Sequence, residues 1–327
     1  MILTPGIDIS MWQTNDARNP QYFFDPKVAE KKGINFAFIK ASERMSKDPA
    51  VDHFGQSFAE SNIPFGFYHF ARPSAYGSNP AQQAERFYEI IKGHKWSIPP
   101  VLDVEADGVG LSFIQMFMKT LEGLLPDGVI PIIYSGPGFL GGLKGIAQAY
   151  WIKKYPLFIA NYFKSHSFPV YHIPDNVINS TTLPVVPKPW DTWTFWQYAQ
   201  VGDGEFYGGD YAKHTDKTAL DMDVFNGDLM EFCEFIGAGE IEDPPIPSFE
   251  NYVEVIAESF LRLRPEAVYN TNITTLIVEN GEVLQIAGAS IYEPSSGITW
   301  LPVFTPARYS GEFIGYVSAN KKYVKYL

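Results

Sequence analysis

Residues 99–105 read Pro-Pro-Val-Leu-Asp-Val-Glu. An apolar run ends here in two carboxylates, Asp103 and Glu105, which are separated by one residue. In a β-strand, residues i and i+2 point to the same side, so the two acids project together while Val104 turns into an apolar layer. Two neighbouring carboxylates resist joint ionisation, and one of them tends to keep its proton near neutral pH. A proton donor beside a charged carboxylate is what cleavage of a glycosidic bond requires, although a strand end with two solvated acids fits the heptapeptide equally well.

Apolar strands and amphipathic helices alternate from residue 1 to about residue 236. Strands are predicted at 6–10, 36–41, 65–70, 100–105, 130–134, 157–161, 192–198 and 219–224. Helices are predicted at 26–32, 51–61, 80–91, 112–125 and 228–236. Eight such strands predict an α/β fold of the (β/α)8-barrel type, irregular in its last helices because residues 164–189 carry scattered prolines without a helical period. The active site of such a barrel lies at the C-terminal ends of its strands, where these acids fall: Asp8, Glu43, Asp103, Glu105 and Asp221.

The composition changes sharply at residues 237–249. This segment holds three prolines and three acids without periodicity, which is typical of an extended linker. Residues 250–327 contain short β-rich runs separated by turn residues such as Glu279-Asn280-Gly281. The predicted organisation is therefore a barrel at 1–236, a linker at 237–249 and a small all-β domain at 250–327.

Charge and cysteine content argue against several classes of protein. The net charge of −12 argues against a nucleic-acid binder, which would need a basic face. Cys233 is the only cysteine, so no intrachain disulfide is possible, which fits synthesis in a reducing cytosol. The first residues show no signal-peptide pattern, and no run of 18 apolar residues occurs, so no membrane insertion is expected. No cluster has metal-ligand spacing and no glycine loop fits a phosphate, so neither a metal nor a cofactor is expected.

Seven motifs follow one another at the predicted strands or their ends. They are Gly6-Ile7-Asp8-Ile9-Ser10, Phe38-Ile39-Lys40-Ala41-Ser42-Glu43, Gly66-Phe67-Tyr68-His69-Phe70, Pro100-Val101-Leu102-Asp103-Val104-Glu105, Ile133-Tyr134-Ser135, Phe195-Trp196-Gln197-Tyr198 and Leu220-Asp221-Met222-Asp223-Val224-Phe225-Asn226-Gly227. Together they resemble glycoside hydrolase family 25, the lysozymes that cut bacterial peptidoglycan. Two departures stand out. Ser42-Glu43-Arg44 replaces the family's usual Thr-Glu-Gly, and Asp223 replaces an asparagine; we expect Asp223 to be solvated.

The resemblance implies site carboxylates at Asp8, Asp103, Glu105 and Asp221, with Asp8 and Asp221 at the ends of neighbouring strands. It implies hydrolysis of the β-1,4 bond from N-acetylmuramic acid to N-acetylglucosamine, with Glu105 as general acid and then general base. The pKa of Glu105 would be raised by partial burial and by the charge on Asp103. Retention of configuration is expected, through either a carboxylate nucleophile or the acetamide of the substrate. We favour the acetamide, with Asp103 stabilising the developing charge.

Other residues at strand ends are candidates for substrate binding. Tyr68 and Tyr134 could hydrogen-bond an acetamide group, with core packing as the alternative. Trp196 and Tyr198 lie two residues apart and suggest a ring surface for stacking on a sugar. Glu43, near the end of the second predicted strand, is the remaining candidate for substrate binding.

Two of the polar residues have a structural interpretation. For Glu43, an ion pair with Lys40 is favoured over a role in catalysis. His69 lies between two aromatic residues and is interpreted as a core histidine with satisfied hydrogen bonds rather than a metal ligand.

The C-terminal region is similar to bacterial SH3-like cell-wall-binding modules. The similarity lies in Leu261-Arg262-Leu263-Arg264-Pro265, Gly281-Glu282-Val283, Trp300 and Gly315-Tyr316-Val317. A lysozyme-like barrel followed by such a module, without a signal peptide, resembles a phage endolysin that is made in the host cytoplasm and acts on the wall after release. The expected partner is bacterial peptidoglycan, bound through both domains, and a monomer is assumed.

Two alternative functions are weighed against this hypothesis. A non-catalytic barrel that binds peptidoglycan or chitin would lack an acid at position 103 or 105, and this chain has both. An enzyme for another polysaccharide, such as a chitinase, would carry further acids upstream on the same strand. Residues 98–102, Ile-Pro-Pro-Val-Leu, have none.

Overall fold

The structure of the protein, a computed structural model, divides near residue 239 into two compact units. It describes residues 3–16, 21–162, 183–210, 219–237, 252–257, 260–264, 276–281, 283–285, 291–293, 296–304 and 314–326.

Eight strands of the first unit close into a barrel. The strands of this unit are β1 (Thr4–Ile9), β2 (Phe36–Glu43), β3 (Ser46–Lys47), β4 (Phe65–Phe70), β5 (Val101–Asp103), β6 (Ile132–Ser135), β7 (Leu157–Ala160), β8 (Phe195–Asp203) and β9 (Ala219–Phe225). Neighbours follow the order β1-β9-β8-β7-β6-β5-β4-β2, and β1 also pairs with β2, which closes the ring. The short β3 pairs only with β2. All eight predicted strands are therefore present.

The last strand of the barrel runs in the opposite direction to the others. β9 is antiparallel to both β8 and β1, so the barrel is a mixed sheet and not the uniformly parallel one that a (β/α)8 pattern predicts. The described part of the connection from β8 to β9, residues 204–210, is mostly turns, whereas a crossover between parallel strands usually contains a helix. The start of β9, and not its end, therefore lies with the C-terminal ends of the parallel strands.

Six α-helices accompany these strands in the described residues, and the five predicted ones are confirmed to within two residues at each end. They are α1 (Pro26–Lys31), α2 (Val51–Ala59), α3 (Pro80–Ile91), α4 (Leu111–Leu124), α5 (Pro137–Gly142) and α6 (Leu229–Phe235). Short 3-10 helices occur at Met11–Gln13, Ser74–Tyr76, Ile146–Gln148 and Tyr150–Lys154. Most of the irregular stretch predicted at 164–189 lies outside the described residues. None of the described helices is long and apolar enough to cross a membrane.

Capping residues explain where the helices begin. The side chain of Asn79 accepts a hydrogen bond from the backbone of Gln82, and Pro80 occupies the first turn of α3. Asp228 and Glu231 form the same reciprocal box at the start of α6. These local signals are readable in the sequence, which is why the helix bounds could be predicted.

Both faces of the barrel strands are buried, so the hydrophobic core has two layers. The outer layer lies between strands and helices and includes Ile7, Leu102 and Val104. The inner layer fills one end of the barrel with phenylalanines and is covered by α6: its rings belong to Phe36, Phe38, Phe158, Phe195, Phe225 and Phe232. Among the described residues, the barrel is thus a packed core at one end and is open to a ligand at the other.

The second unit contains only strands in its described residues. They are β10 (Tyr252–Val255), β11 (Phe260–Leu263), β12 (Leu276–Glu279), β13 (Val283–Gln285), β14 (Ile291–Glu293), β15 (Ile298–Phe304), β16 (Ile314–Ser318) and β17 (Val324–Tyr326). They pair as β13-β10-β17, β11-β12 and β14-β15-β16, around a core that includes Val253, Leu263 and Val303. The unit has its own hydrophobic core, and its SH3-like character stays a prediction.

Candidate active site

Four carboxylic acids line one cavity at the open end of the barrel. Asp8 lies on β1, Asp103 ends β5, Glu105 follows two residues later, and Asp221 lies on β9. The cavity has a volume of about 390 Å³, within the range of sites for small organic ligands. The sequence predicted that these acids share a cleft, and the structure places all four in it.

Alternation along β5 explains why Asp103 and Glu105 project together. Val101 belongs to the inner layer, whereas Leu102 and Val104 pack in the outer layer. Asp103 is consequently directed into the barrel and is 5% exposed, while Glu105 stands at the exposed rim. The predicted orientation of Val104 is confirmed.

Asp221 reaches the cavity from an unexpected direction. It was predicted at the end of its strand, but it is the third residue of β9 and enters the mouth because that strand is reversed. Asp8 is its direct partner across the β1–β9 pair, and their side chains share a hydrogen bond.

The Asp8–Asp221 pair holds a proton at neutral pH. Burial raises the pKa of Asp8 well above its ordinary value, and the charge on Asp221 raises it further. Burial also raises the pKa of Asp221, to about 7, with a further contribution from the charge on Glu105. The hydrogen bond lowers the pKa of Asp221 and raises that of Asp8, so Asp8 is the donor.

Burial and charge act differently on the other two acids. Burial raises the pKa of Asp103 well above its ordinary value, the charge on Glu105 adds to this, and Lys40 opposes it. Burial raises the pKa of Glu105. Of the two causes expected for Glu105, burial is the one that acts, and the charge of this more exposed acid contributes to the raised pKa of the deeper Asp103. Within the described residues, Asp103 Oδ1 has no hydrogen-bond partner.

Gln197 links the acids to two tyrosines and was missed by the sequence analysis. Its Nε2 donates to Asp8 Oδ2 at 2.5 Å. Its Oε1 accepts from the hydroxyl of Tyr134 at 2.8 Å and from that of Tyr162 at 2.6 Å. The amide thereby fixes which oxygen of Asp8 is free to meet Asp221. Its position two residues after the inward-facing Phe195 is the signal that could have identified it.

Aromatic rings flank the acids. Tyr68 and Tyr134 line the cavity, so the structure places them where they were predicted, and their contact with an acetamide stays a prediction. Trp12 and Tyr162, which were not predicted, also line it and are 50% and 39% exposed. Rings of this kind offer apolar surface to the face of a sugar.

The prediction that Trp196 and Tyr198 stack on a sugar is wrong. They are 1% and 0% exposed and belong to the outer core layer, behind the barrel wall. Trp196 Nε1 donates to the carbonyl of Asn161 at 2.9 Å. Both side chains point to the opposite side of β8 from Gln197, which faces the cavity.

Glu43 forms the favoured ion pair and does not line the four-acid cavity. Its carboxylate contacts Lys40 Nζ at 2.9 Å and Arg72 Nη2 at 2.6 Å. Burial acts to raise the pKa of Glu43, but the hydrogen bonds and charges of the two cations outweigh it and lower that pKa. Glu43 lines a neighbouring cavity instead.

His69 is a core histidine, as predicted. Its Nδ1 and Nε2 lie 2.8 Å from Ser42 Oγ and 3.1 Å from Gln83 Oε1, and its ring stacks on Phe117. Burial lowers its pKa to about 4, so the imidazole is neutral. Across the described part of the chain, no group of three or more His, Cys, Asp or Glu residues could hold a metal ion.

Asp223 is buried, which corrects the expectation of a solvated carboxylate. It is 0% exposed, and neither of its oxygens has a hydrogen-bond partner among the described residues. It faces the inside of the closed barrel between Gly6 and Gln197, its partners on β1 and β8. Burial raises its pKa well above the ordinary value, followed by the charges of Asp8 and Asp221. The inside of the barrel therefore favours the protonated, uncharged form of Asp223.

Comparison with known proteins identifies the family. Lysozyme M1 from Streptomyces globisporus is 29% identical over 246 residues, covering 68% of this chain and 67% of its own. The lysozyme from Streptomyces coelicolor is similar at a TM-score of 0.54 and 24% identity, over 72% of this chain and 97% of that one. The muramidase from Acremonium alcalophilum is similar at a TM-score of 0.53 and 25% identity, over 72% of this chain and 99% of that one. The profile of Glycosyl hydrolases family 25 matches residues 7–205, which include Asp8, Asp103 and Glu105. The chain therefore belongs to glycosyl hydrolase family 25 and is a glycoside hydrolase.

Proposed function

We propose that the protein is a muramidase, a lysozyme that hydrolyses the β-1,4 bond between N-acetylmuramic acid and N-acetylglucosamine in bacterial peptidoglycan. The observation that carries the proposal is the cavity in which Glu105, at the exposed rim, lies next to the buried Asp103, with Asp8 and Asp221 beside them. The names of the similar proteins, two lysozymes and a muramidase, support the substrate class.

Glu105 is the proton donor in this proposal because it combines a raised pKa with access to a ligand. It protonates the glycosidic oxygen as the bond from C1 breaks, and the acetamide oxygen of the substrate attacks C1 to form an oxazolinium ion. Water then attacks C1, Glu105 takes a proton from that water, and the acetamide is restored. The configuration at C1 is retained because it is inverted twice.

Asp103 acts as the charge stabiliser. The acetamide N–H is a suitable donor for Asp103 Oδ1, which is buried and lacks a partner in the described structure. A hydrogen bond to the ionised carboxylate lowers its pKa. Substrate binding therefore favours the charge on Asp103 and the proton on Glu105, which is the arrangement that the reaction needs.

Asp8 and Asp221 shape the field of the cavity. Their shared proton leaves one negative charge on the pair, and Gln197 holds that pair in place. A single negative charge at this position stabilises the positive charge that develops on the oxocarbenium-like sugar. A second ionised carboxylate would repel the first.

Replacement of Glu105 by glutamine tests the proposal. Removing a general acid costs roughly 10²–10⁴-fold in rate, so clearing of a suspension of purified cell walls is expected to stop almost completely. Asp107→Asn is the matched control, since Asp107 is an exposed acid two residues further along that lines a different cavity. Equal thermal unfolding of the variants shows that the fold is kept. Activity of Glu105→Gln within a few-fold of the wild type contradicts the assignment.

The products identify the bond. Mass spectrometry of digests is expected to find muramic acid at the new reducing ends. Glucosamine there means a glucosaminidase, and binding without any cleavage means a carbohydrate-binding barrel.

We further propose that the enzyme acts in cell-wall lysis, as a phage endolysin does, and that the second unit binds the wall. The support is that this unit has its own apolar core and is separate from the compact unit that carries the four acids. Sedimentation of the full-length Glu105→Gln protein with purified walls measures the binding; a protein that stays in the supernatant contradicts it.

A further inference from the structure

A second cavity opens beside the four-acid cavity, and positive charge predominates in its lining. Its volume is about 650 Å³, and Lys40 lines both cavities. The cavity is lined by four cationic and two acidic side chains: Lys40, Arg44, Lys47, Arg72, Glu43 and Asp48. In a chain with a net charge of −12, this is a local reversal of sign next to the proposed catalytic centre.

The acids of this cavity do not cancel its positive charge. Glu43 is shared by two cations, Lys40 and Arg72. Asp48 is buried and accepts hydrogen bonds from the backbone N–H groups of Met11 and Ala50. Burial raises the pKa of Asp48, against these two hydrogen bonds, which lower it. The two acids therefore leave the four cations in excess.

One more acid lies close to the cavity. Lys47 pairs with Asp52 at 2.5 Å, but both side chains are solvent-exposed, so this pair is weak and easily exchanged for a ligand. With Asp52 included, the cations still outnumber the acids.

Arg44 is held in a conformation that favours glycine. Its φ is 54°, and it is the one residue other than glycine with a positive φ in the described structure. It lies in the tight turn between β2 and β3, where Glu43 pairs with Ser46. It also stands where the sequence motif usually has glycine. A side chain kept at such a position despite the cost indicates a role for that side chain, and here it lines the cavity.

We propose that this cavity binds a carboxylate of the stem peptide that N-acetylmuramic acid carries on its lactyl group. The inference rests on the proposed muramidase function, which places muramic acid in the adjoining cavity. Sugar hydroxyls are neutral and do not require four cations, whereas stem peptides carry free carboxylates close to the glycan. The guanidinium groups of Arg44 and Arg72 match a carboxylate with two parallel hydrogen bonds. The enzyme would therefore prefer glycan strands with their peptides over bare strands.

The test compares kcat/KM on peptidoglycan that bears stem peptides with kcat/KM on the same strands after an amidase has removed the peptides and the lactyl carboxylate freed by that cleavage has been converted to its amide. Both substrates are first freed of wall phosphate polymers, so that phosphate does not contribute. The wild type is expected to prefer the peptide-bearing strands by roughly tenfold, the size of a charge-assisted contact. Arg44→Gly is expected to lose most of this preference.

The choice of variants separates binding from folding. Glycine accepts a φ of 54° without strain, so Arg44→Gly is expected to unfold at the wild-type temperature or above. Lys119→Gln removes one positive charge from an exposed position on α4 and is expected to keep the wild-type ratio. Arg44→Lys keeps the positive charge but lacks the paired donors of the planar guanidinium group. It is therefore expected to keep only part of the preference.

Failure of the inference is distinct from failure of the proposed function. A wild type that cleaves neither substrate overturns the muramidase. A wild type that cleaves both equally well, or an Arg44→Gly variant with the wild-type ratio, overturns the stem-peptide site alone.

Discussion

Replacing Asp221 by asparagine is expected to stabilise the barrel at neutral pH while removing a carboxylate from the proposed catalytic cavity. The reason is the raised pKa of Asp221, which burial, aided by the charge on Glu105, brings to about 7 from an ordinary 3.8. An acid whose pKa is higher in the folded state than in the unfolded state destabilises the fold once the pH exceeds the unfolded value. Asparagine has nearly the same shape, and its amide oxygen still accepts a hydrogen bond from Asp8.

The magnitude follows from the two pKa values. Below about pH 4 the carboxyl is protonated in both states and contributes nothing. Between about pH 4 and pH 7 unfolding releases a proton, so each pH unit favours the unfolded state by about 1.4 kcal/mol. At pH 7 the difference reaches about 4 kcal/mol, and above pH 7 it stays constant. Asp221→Asn removes this penalty.

Urea denaturation at pH 4 to 8, followed by tryptophan fluorescence, measures the effect. Six of the seven tryptophans lie in the first unit, so the signal reports the barrel. The free energy of unfolding of the variant is expected to exceed that of the wild type at pH 7 and to approach it at pH 4. Asp127→Asn, which removes a charge from an exposed turn, is the control. It is expected to leave the free energy of unfolding unchanged at both pH 4 and pH 7. A variant that is no more stable than the wild type at pH 7, or is equally stabilised at pH 4, refutes the reasoning.

Two further predictions concern the barrel interior. Gly6→Ala is expected to destabilise the barrel by about 1–3 kcal/mol or more, because its Cβ would lie 2.2 Å from the ring of Phe36. Gly123→Ala, on an open helical surface, is expected to stabilise by about 0.5–1 kcal/mol, and equal thermal shifts for the two would contradict the packing argument. Gln197→Leu is expected to lower kcat by roughly 10–100-fold, since it breaks the bonds to Asp8, Tyr134 and Tyr162. Wild-type kcat on purified walls would show that this amide does not hold the acids.

Much of the barrel was predictable because its signals are local. The helices carry caps and apolar stripes, and the strands are short apolar runs between turn residues. The common orientation of Asp103 and Glu105 was predictable from strand alternation, whereas their place in a shared cleft rested on the resemblance to the family. The caps, the apolar stripes and the alternation depend only on neighbours in the sequence.

The errors have a common physical origin. Both faces of a barrel strand are buried, so Phe195, Trp196 and Tyr198 look alike in the sequence, and hydrophobicity does not distinguish the cavity side from the helix side. The direction of β9 depends on how its connection folds, which strand periodicity does not record. The burial of Asp223 follows from ring closure, which brings β1, β8 and β9 together.

The reversed β9 also bears on the order in which the enzyme becomes active during folding. β8 and β9 are neighbours both in sequence and in space, so Gln197 and Asp221 approach each other through a comparatively short connection. Asp8 joins them only when the first strand of the chain meets the last, and bringing together segments so far apart in sequence is slow. Catalytic activity should therefore return after most of the secondary structure in refolding, since the four-acid cavity is complete only once the ring is closed.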